Sequence, residues 1–203
     1  MTYEFDEGSN SSDSAIGPFL NWHARETLDG EIPSRAFSIR EDDERVNVTA
    51  QMKKGVVLDL ATLRTGWCFS NGTPGVAPEW IWNDTPARFN VPQPEDRGQE
   101  KWKRGFSIRI ALTKDKAVTW SQAGAGAWAG LVTLMRSVKS DSGSGETCIA
   151  AMTDVEEIPF KKGSTSAPVF TVKKWVPRPE CLKDDLPVVE DEDEKMEEFI
   201  DEF

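Results

Sequence analysis

The segment that most restricts the fold is residues 105–112 (GFSIRIAL), where Phe106, Ile108, Ile110 and Leu112 alternate with Ser107 and Arg109. A period of two puts the apolar side chains on one face of an extended chain and the polar ones on the other, the pattern of a strand with one buried side. Residues 34–41 (SRAFSIRE) repeat it with Phe37 and Ile39, and residues 46–52 (VNVTAQM) set Val46, Val48, Ala50 and Met52 against Asn47, Thr49 and Gln51. Lys53-Lys54-Gly55 then breaks the alternation before Val56-Val57-Leu58-Asp59-Leu60, which predicts a hairpin presenting two lysines at its tip. Residues 64–69 (RTGWCF) prolong that sheet, and residues 147–152 and 169–176 read as closing strands. The period changes in residues 124–138, where Trp128, Leu131, Val132, Met135 and Val138 recur at helical spacing. Five or more short strands with one late helix predict a mainly β, OB-fold-like Greek-key barrel with long loops.

The remaining segments set the organisation. Residues 70–104 are expected to form a long polar connection with five prolines, interrupted by the aromatic run Glu79-Trp80-Ile81-Trp82; loops of that length are usually functional or mobile. Residues 1–14 lack an apolar period and predict a disordered acidic arm, residues 15–179 the domain, and residues 180–203 an acidic tail. At 203 residues and 38% hydrophobic, one core is expected. The net charge of −11 would argue against a polyanionic partner if it were spread evenly, but it is not. The arm holds four acids and no base, and the tail twelve acids and two bases, leaving 22 bases against 19 acids between them. The domain is therefore mildly cationic between anionic ends.

No run of 18 apolar residues occurs, and MTYEFDEGSN is acidic where a secretion signal needs a basic start, so neither a membrane span nor export is expected, and the cytoplasm is the expected location. Cys68, Cys148 and Cys181 are odd in number and far apart, which offers no disulfide framework and no metal knuckle. A single histidine, His23, and the absence of nucleophile-elbow, P-loop or zinc-protease patterns argue against catalysis. Gly124-Ala125-Gly126 precedes the helix but lacks the Lys-Ser/Thr of a phosphate loop, and Asp42, Asp43, Glu44, Asp59 and Asp84 follow no ligand spacing. A non-enzymatic chain without cofactor or metal is the expectation.

What the chain has in excess is tryptophan, eight residues, set among cations. Residues 97–116 carry Arg97, Lys101, Lys103, Arg104, Arg109, Lys114 and Lys116 against two acids, interleaved with Trp102 and Phe106. Cations track a phosphate backbone while indoles offer π-faces to unpaired bases. Trp80 and Trp82, two apart on an extended segment, would face the same way about 7 Å from each other. Trp67 and Phe69 repeat that spacing after Arg64. With Lys53, Lys54 and Arg88 they are candidates for one binding face.

The tail adds a second signal. It holds Glu190, Asp191, Glu192, Asp193 and Glu194, then Met196, Phe199, Ile200 and Phe203 at helical spacing, and finishes Ile200-Asp201-Glu202-Phe203. Apolar residues at that spacing suit docking on a partner, and a tethered polyanion competes with nucleic acid at high effective concentration. A cationic, aromatic-rich domain followed by such a tail resembles the phage type of single-stranded DNA-binding protein. The resemblance implies an OB-fold that coats unpaired DNA during replication, recombination and repair, in the host cytoplasm. It also implies a tail whose residues Glu190 to Asp193 and Phe199 to Phe203 recruit replication or recombination proteins. Two other readings compete: a protein-interaction or virion assembly module whose tryptophans are core, and a metal-dependent nuclease. Homo-oligomerisation is left open by the sequence.

Overall fold

A computed structural model describes residues 18–183, apart from 43, 71–75, 87, 99 and 162. In chain order the elements are β1 (Phe19–His23), β2 (Ala36–Glu41), β3 (Glu44–Asn47), α1 (Thr49–Lys54), β4 (Val56–Phe69), β5 (Glu79–Trp82), β6 (Lys103–Thr113), β7 (Lys116–Ala123), α2 (Ala125–Ser140), β8 (Thr147–Phe160) and β9 (Gly163–Trp175), followed by a 3₁₀ turn at Glu180–Leu182. The strands hydrogen-bond in the order β3-β2-β1-β7-β6-β4-β8-β9, with β5 added to the second half of β4. The sheet curls into an OB-like half-barrel with one main helix, mainly β as the alternation requires. Among the described residues no helix is long and apolar enough to cross a membrane.

All ladders are antiparallel except that of β1 and β7, which pair in parallel only at Phe19–Thr119 and Leu20–Trp120. Past that point the Gln122 side chain stands in for the ladder: its oxygen accepts from the Trp22 amide (2.8 Å) and the Trp120 indole (3.0 Å), and its nitrogen donates to the Trp22 carbonyl (2.8 Å). Between β1 and β9 no ladder forms among the described residues. That seam is bridged by the Trp22 indole donating to the Ser166 carbonyl (3.0 Å) and the Ser166 hydroxyl donating to the Ala24 carbonyl (3.2 Å). Inside, Phe37, Phe106, Trp120 and Phe170 meet at tilted or edge-on angles, with Phe106 and Trp120 centroids 4.7 Å apart. Such pairs add about 0.5–1.5 kcal/mol each beyond the area they bury.

The expected strand at 46–52 is corrected to a short edge strand, β3, followed by the single-turn-and-a-half helix α1. Asn47 Oδ1 accepts from the Thr49 amide (3.0 Å) and Thr49 Oγ1 accepts from the Phe37 amide (2.9 Å), an Asx turn that ends the ladder and starts the helix. Val48 and Met52 are both buried, and their spacing of four fits either period. Lys53 and Lys54 consequently lie in the last turn of α1 rather than at a hairpin tip, and Gly55, at φ 121°, makes the reversal into β4 that a side chain would resist.

In α2 the deepest contacts come from small residues as much as from the apolar stripe. A Cβ at Gly126 would stand 2.5 Å from the Ser166 carbonyl oxygen, and one at Gly130 2.8 Å from the Pro168 ring. The helix therefore rests directly on β9. Leu131 and Leu134 are buried, while Trp128, Met135 and Val138 pack at the margin.

After β9 the chain stays attached. The Val176 amide donates to the Thr147 carbonyl (3.2 Å), Arg178 donates to Asp59 Oδ1 (2.8 Å) and reaches Glu146 (3.2 Å), and Leu182 is buried. Cys181 Sγ lies 3.8 Å from the Thr113 carbonyl at the β6–β7 turn. The chain thus leaves the described structure at Lys183, beside that turn. The acidic arm and the tail residues Glu190 to Asp193 and Phe199 to Phe203 lie outside the described residues.

His23, on β1, bonds through Nε2 to the Ser38 hydroxyl at 2.8 Å. Burial holds its pKa below 6.5, Arg45 adds to the effect, and Asp29 opposes it. Between that lowered value and 6.5 the unfolded chain binds the extra proton, so stability rises with pH across that window. The contribution is complete above about pH 6.5 and is lost as the solution is acidified through the folded value. Urea titrations at pH 7.5 and pH 5 should show a larger acid loss for the wild type than for His23→Gln; equal losses would remove His23 as a source.

Candidate functional site

The sequence candidates divide by face, and strand register decides the division. In the β4–β6 ladder Arg64 stands opposite Ser107, Gly66 opposite Gly105, Trp67 opposite Arg104 and Cys68 opposite Lys103. In the β4–β5 ladder Gly66 faces Trp82, Trp67 faces Ile81 and Cys68 faces Trp80. Since Phe106 is wholly buried, its row points into the half-barrel. Arg64, Gly66, Cys68, Trp80, Trp82, Lys103, Gly105 and Ser107 therefore point outward, and no carboxylate occupies any of these positions.

On that outer face Trp80 and Trp82 stack upon one another, with centroids 4.4 Å apart and planes 5° from parallel. They do not keep the separation of about 7 Å expected from extended spacing, because the indoles lean together instead of standing upright. The Arg64 guanidinium covers the other side of the stack, 4.7 Å from the Trp82 ring centre. The column is seated on glycine: a Cβ at Gly105 would meet the Trp80 ring and Ala123 at 2.8 Å, and one at Gly66 would meet the Ile81 carbonyl oxygen at 2.2 Å. Glycine inside a strand marks such close approach, and this is the signal by which Gly66 and Gly105 belong with the site. Both indoles are half-buried, Arg64 and Lys103 are exposed, and Lys101 leads into β6 on an exposed position.

Trp67 and Trp102 are buried on the opposite face, beneath residues 83–102. Asn83 fixes this strap. Its nitrogen donates to the Thr65 carbonyl (2.9 Å) and hydroxyl (3.0 Å), and its oxygen accepts from the Asn90 and Val91 amides (3.0 Å each). The Trp67 indole donates to the Val91 carbonyl (3.0 Å) and the Trp102 indole to the Glu95 carbonyl (3.2 Å), so both N–H groups are committed to the strap. Arg97 clamps it, paired with both Glu79 oxygens (2.9 and 3.0 Å) and lying 4.8 Å over Phe69. Arg104 lies 4.9 Å over Phe89 and 5.7 Å over Trp67. Arg88 is exposed on a tight turn of the strap, where Thr85 and Arg88 form an isolated bridge.

The other cations are not brought to this end of the sheet. Val56 precedes Gly66 by ten residues, about 33 Å of strand path, so Lys53 and Lys54 sit at the far end of β4. Lys114 and Lys116 flank the β6–β7 turn, paired with Asp115 and Glu41, at the far end of β6 from Lys103. Arg109 stands half-buried opposite Asp59, its amide donating to the Thr62 hydroxyl (2.9 Å). The basic run that is continuous in sequence is thus split along the whole of β6.

Burial pushes the Cys68 thiol up to about 11 despite the Lys103 ammonium, so it remains an unreactive neighbour of the column. Among the described residues no three of His, Cys, Asp or Glu gather to hold a metal ion. The outer face can therefore offer two things to a ligand: a planar apolar stack and positive charge. Comparison of the chain with protein-family models, with curated proteins and with solved structures finds no match.

Proposed function

We propose that this protein binds single-stranded DNA without sequence preference, coating it during replication, recombination and repair. The observation that carries the reading is the end of the outer face where β4, β5 and β6 meet: there a stacked indole pair adjoins Arg64 and Lys103, and the outward positions from Arg64 to Cys68, Trp80 to Trp82 and Lys103 to Ser107 hold no carboxylate. Unpaired bases stack on aromatic rings whatever their identity, and nearby cations neutralise the phosphates. In this reading the acidic tail competes for the same face and recruits replication or recombination proteins. Twenty residues follow Lys183, and an extended chain of that length spans at most about 70 Å. Lys103 lies ten residues of β6 from the tail's exit beside Thr113, about 33 Å, well within that reach.

Fluorescence titration with oligo-dT and with duplex at two salt concentrations tests it. Tight, quenching binding of the single strand is expected, weakening with salt by about 0.7 per neutralised phosphate on a log-log plot. Truncation before Asp184 is expected to tighten binding at matched salt. A flat salt response, or affinity unchanged or lowered by truncation, would contradict the electrostatic part.

A second reading, a protein-interaction or virion assembly module, is favoured by one fact. Trp22, Trp67, Trp102 and Trp120 are buried, and Trp80 and Trp82 lean on each other, so packing accounts for much of the tryptophan. It predicts no mobility shift with poly-dT.

A further inference from the structure

The sheet carries a second group of cations, at the end where the chain leaves it. Ala111, Val57, Ile149 and Lys174 form one row across β6, β4, β8 and β9. Lys53 and Lys54 come just before that row, since a Cβ at Gly55 would stand 3.1 Å from Ile149 Cγ2. Lys53 also lines a cleft with Met152, Thr153, Asp154 and Val155, in which Asp154 is the one carboxylate. On β9 a bulge inserts Lys173 between Val172, which pairs with Ala150, and Lys174, which pairs with Ile149. Two consecutive lysines are thereby exposed where strict alternation would turn one inward. Among the described residues none of these four lysines pairs with a carboxylate. At the neighbouring turn, by contrast, Lys114 and Lys116 are taken up by Asp115 and Glu41.

The tail departs beside this group. Cys181 Sγ is 3.8 Å from the Thr113 carbonyl, and Thr113 lies two residues along β6 from Ala111, on the side toward Lys54. With strands about 4.8 Å apart, the exit is about 10 Å from Lys54 and about 15 Å from Lys174, against about 33 Å from Lys103. Eleven acids and one base follow Lys183, and the run Glu190 to Glu194 begins seven residues on. A seven-residue tether spans about 15 Å in root mean square, and effective concentration is highest where that span matches the distance to be bridged. We infer that Lys53, Lys54, Lys173 and Lys174 form a seat for the chain's own acidic tail, taking Glu190 to Glu194 and leaving Met196 to Phe203 to meet another protein. Nine residues beyond Glu194 reach at most about 31 Å, short of Lys103, so a seated tail is withdrawn from the indole face. The seat stands on position and charge; its role rests on the DNA-binding reading, in which it holds the tail while a strand occupies that face.

Carbodiimide coupling joins a carboxylate to an ammonium group already in contact with it. In the full chain at low salt it is expected to link Glu190 to Glu194, within one molecule, to the four lysines about threefold or more as often as to exposed Lys101, Lys103 and Lys161. High salt is expected to erase the preference. Equal labelling of all these lysines, or links formed only between molecules, overturns the seat. Replacing the four together, Lys53→Gln, Lys54→Gln, Lys173→Gln and Lys174→Gln, is expected to weaken oligo-dT binding by the full chain about threefold, because the unseated tail competes more often. The same replacements in a chain ending at Lys183, which keeps every described residue, are expected to change nothing. Equal weakening of both chains, with a shallower salt slope, makes the lysines a DNA contact and overturns the seat as well. Failure of the wild type to bind oligo-dT overturns the DNA-binding reading and leaves the coupling result to decide the seat.

Discussion

Arg178→Ala is expected to destabilise the fold by roughly 3 to 5 kcal/mol, because it strands a buried carboxylate. Asp59 is fully buried on β4, and its Oδ1 accepts from Arg178, which is itself only 14% exposed. Glu146, 3.2 Å from the same guanidinium, is largely exposed and adds little. For a domain of this size the loss corresponds to a melting temperature lower by about 6 to 20 °C. The pair does more than join two charges, since Arg178 lies between the Val176–Thr147 bonds and buried Leu182 and so fastens the segment from which the tail departs. The control is a double replacement, Asp59→Leu with Arg178→Met, which removes both charges at similar volume and is expected to recover most of the loss. Calorimetry on the three chains decides it; a single variant within 1 kcal/mol of wild type would show that Asp59 is satisfied without its arginine.

The second large effect is on binding. Trp80→Ala combined with Trp82→Ala is expected to weaken binding of oligo-dT by about 1 to 3 kcal/mol, a 5- to 150-fold rise in Kd, and to abolish the quenching. The figure is that for one stacked base, since the indoles close upon each other and cannot each take a base between them. Both rings lie outside the central aromatic cluster, so the variant is expected to melt cooperatively near the wild-type temperature. Unchanged affinity in a folded variant would return the pair to a packing role and favour the protein-interaction reading.

What could be read from the sequence follows from which interactions are periodic. The β6 strand and the α2 helix were legible because each has one buried face repeating at its own period, and β2 for the same reason. Residues 46–52 misled because Val48 and Met52 satisfy both periods, and an Asx turn at Asn47, not the apolar pattern, chose between them. The strands β1 and β7 passed unread: each is short, and their pairing depends on a Gln122 side chain. At the site, register put Arg64, Trp80, Trp82 and Lys103 on one surface, which alternation could suggest. The burial of Trp67 and Trp102 had no such signal, since it depends on four hydrogen bonds from Asn83, a polar residue in a proline-rich connection. Likewise the split of the basic run follows from the length of β6, which carries Lys103 and Lys116 to opposite ends of the sheet.

The line where β1 meets β9 has a consequence for everything on the other side of the molecule. Joined by an indole and a hydroxyl instead of a run of peptide bonds, it lacks the ladder that ties each of the other neighbouring strands together. Walking round the wall from there in either direction, β6 and β4 are the staves reached last. An opening that began there would cross two strands on one side and two on the other before parting β4 from β6, whose ladder carries Arg64, Gly66 and Lys103.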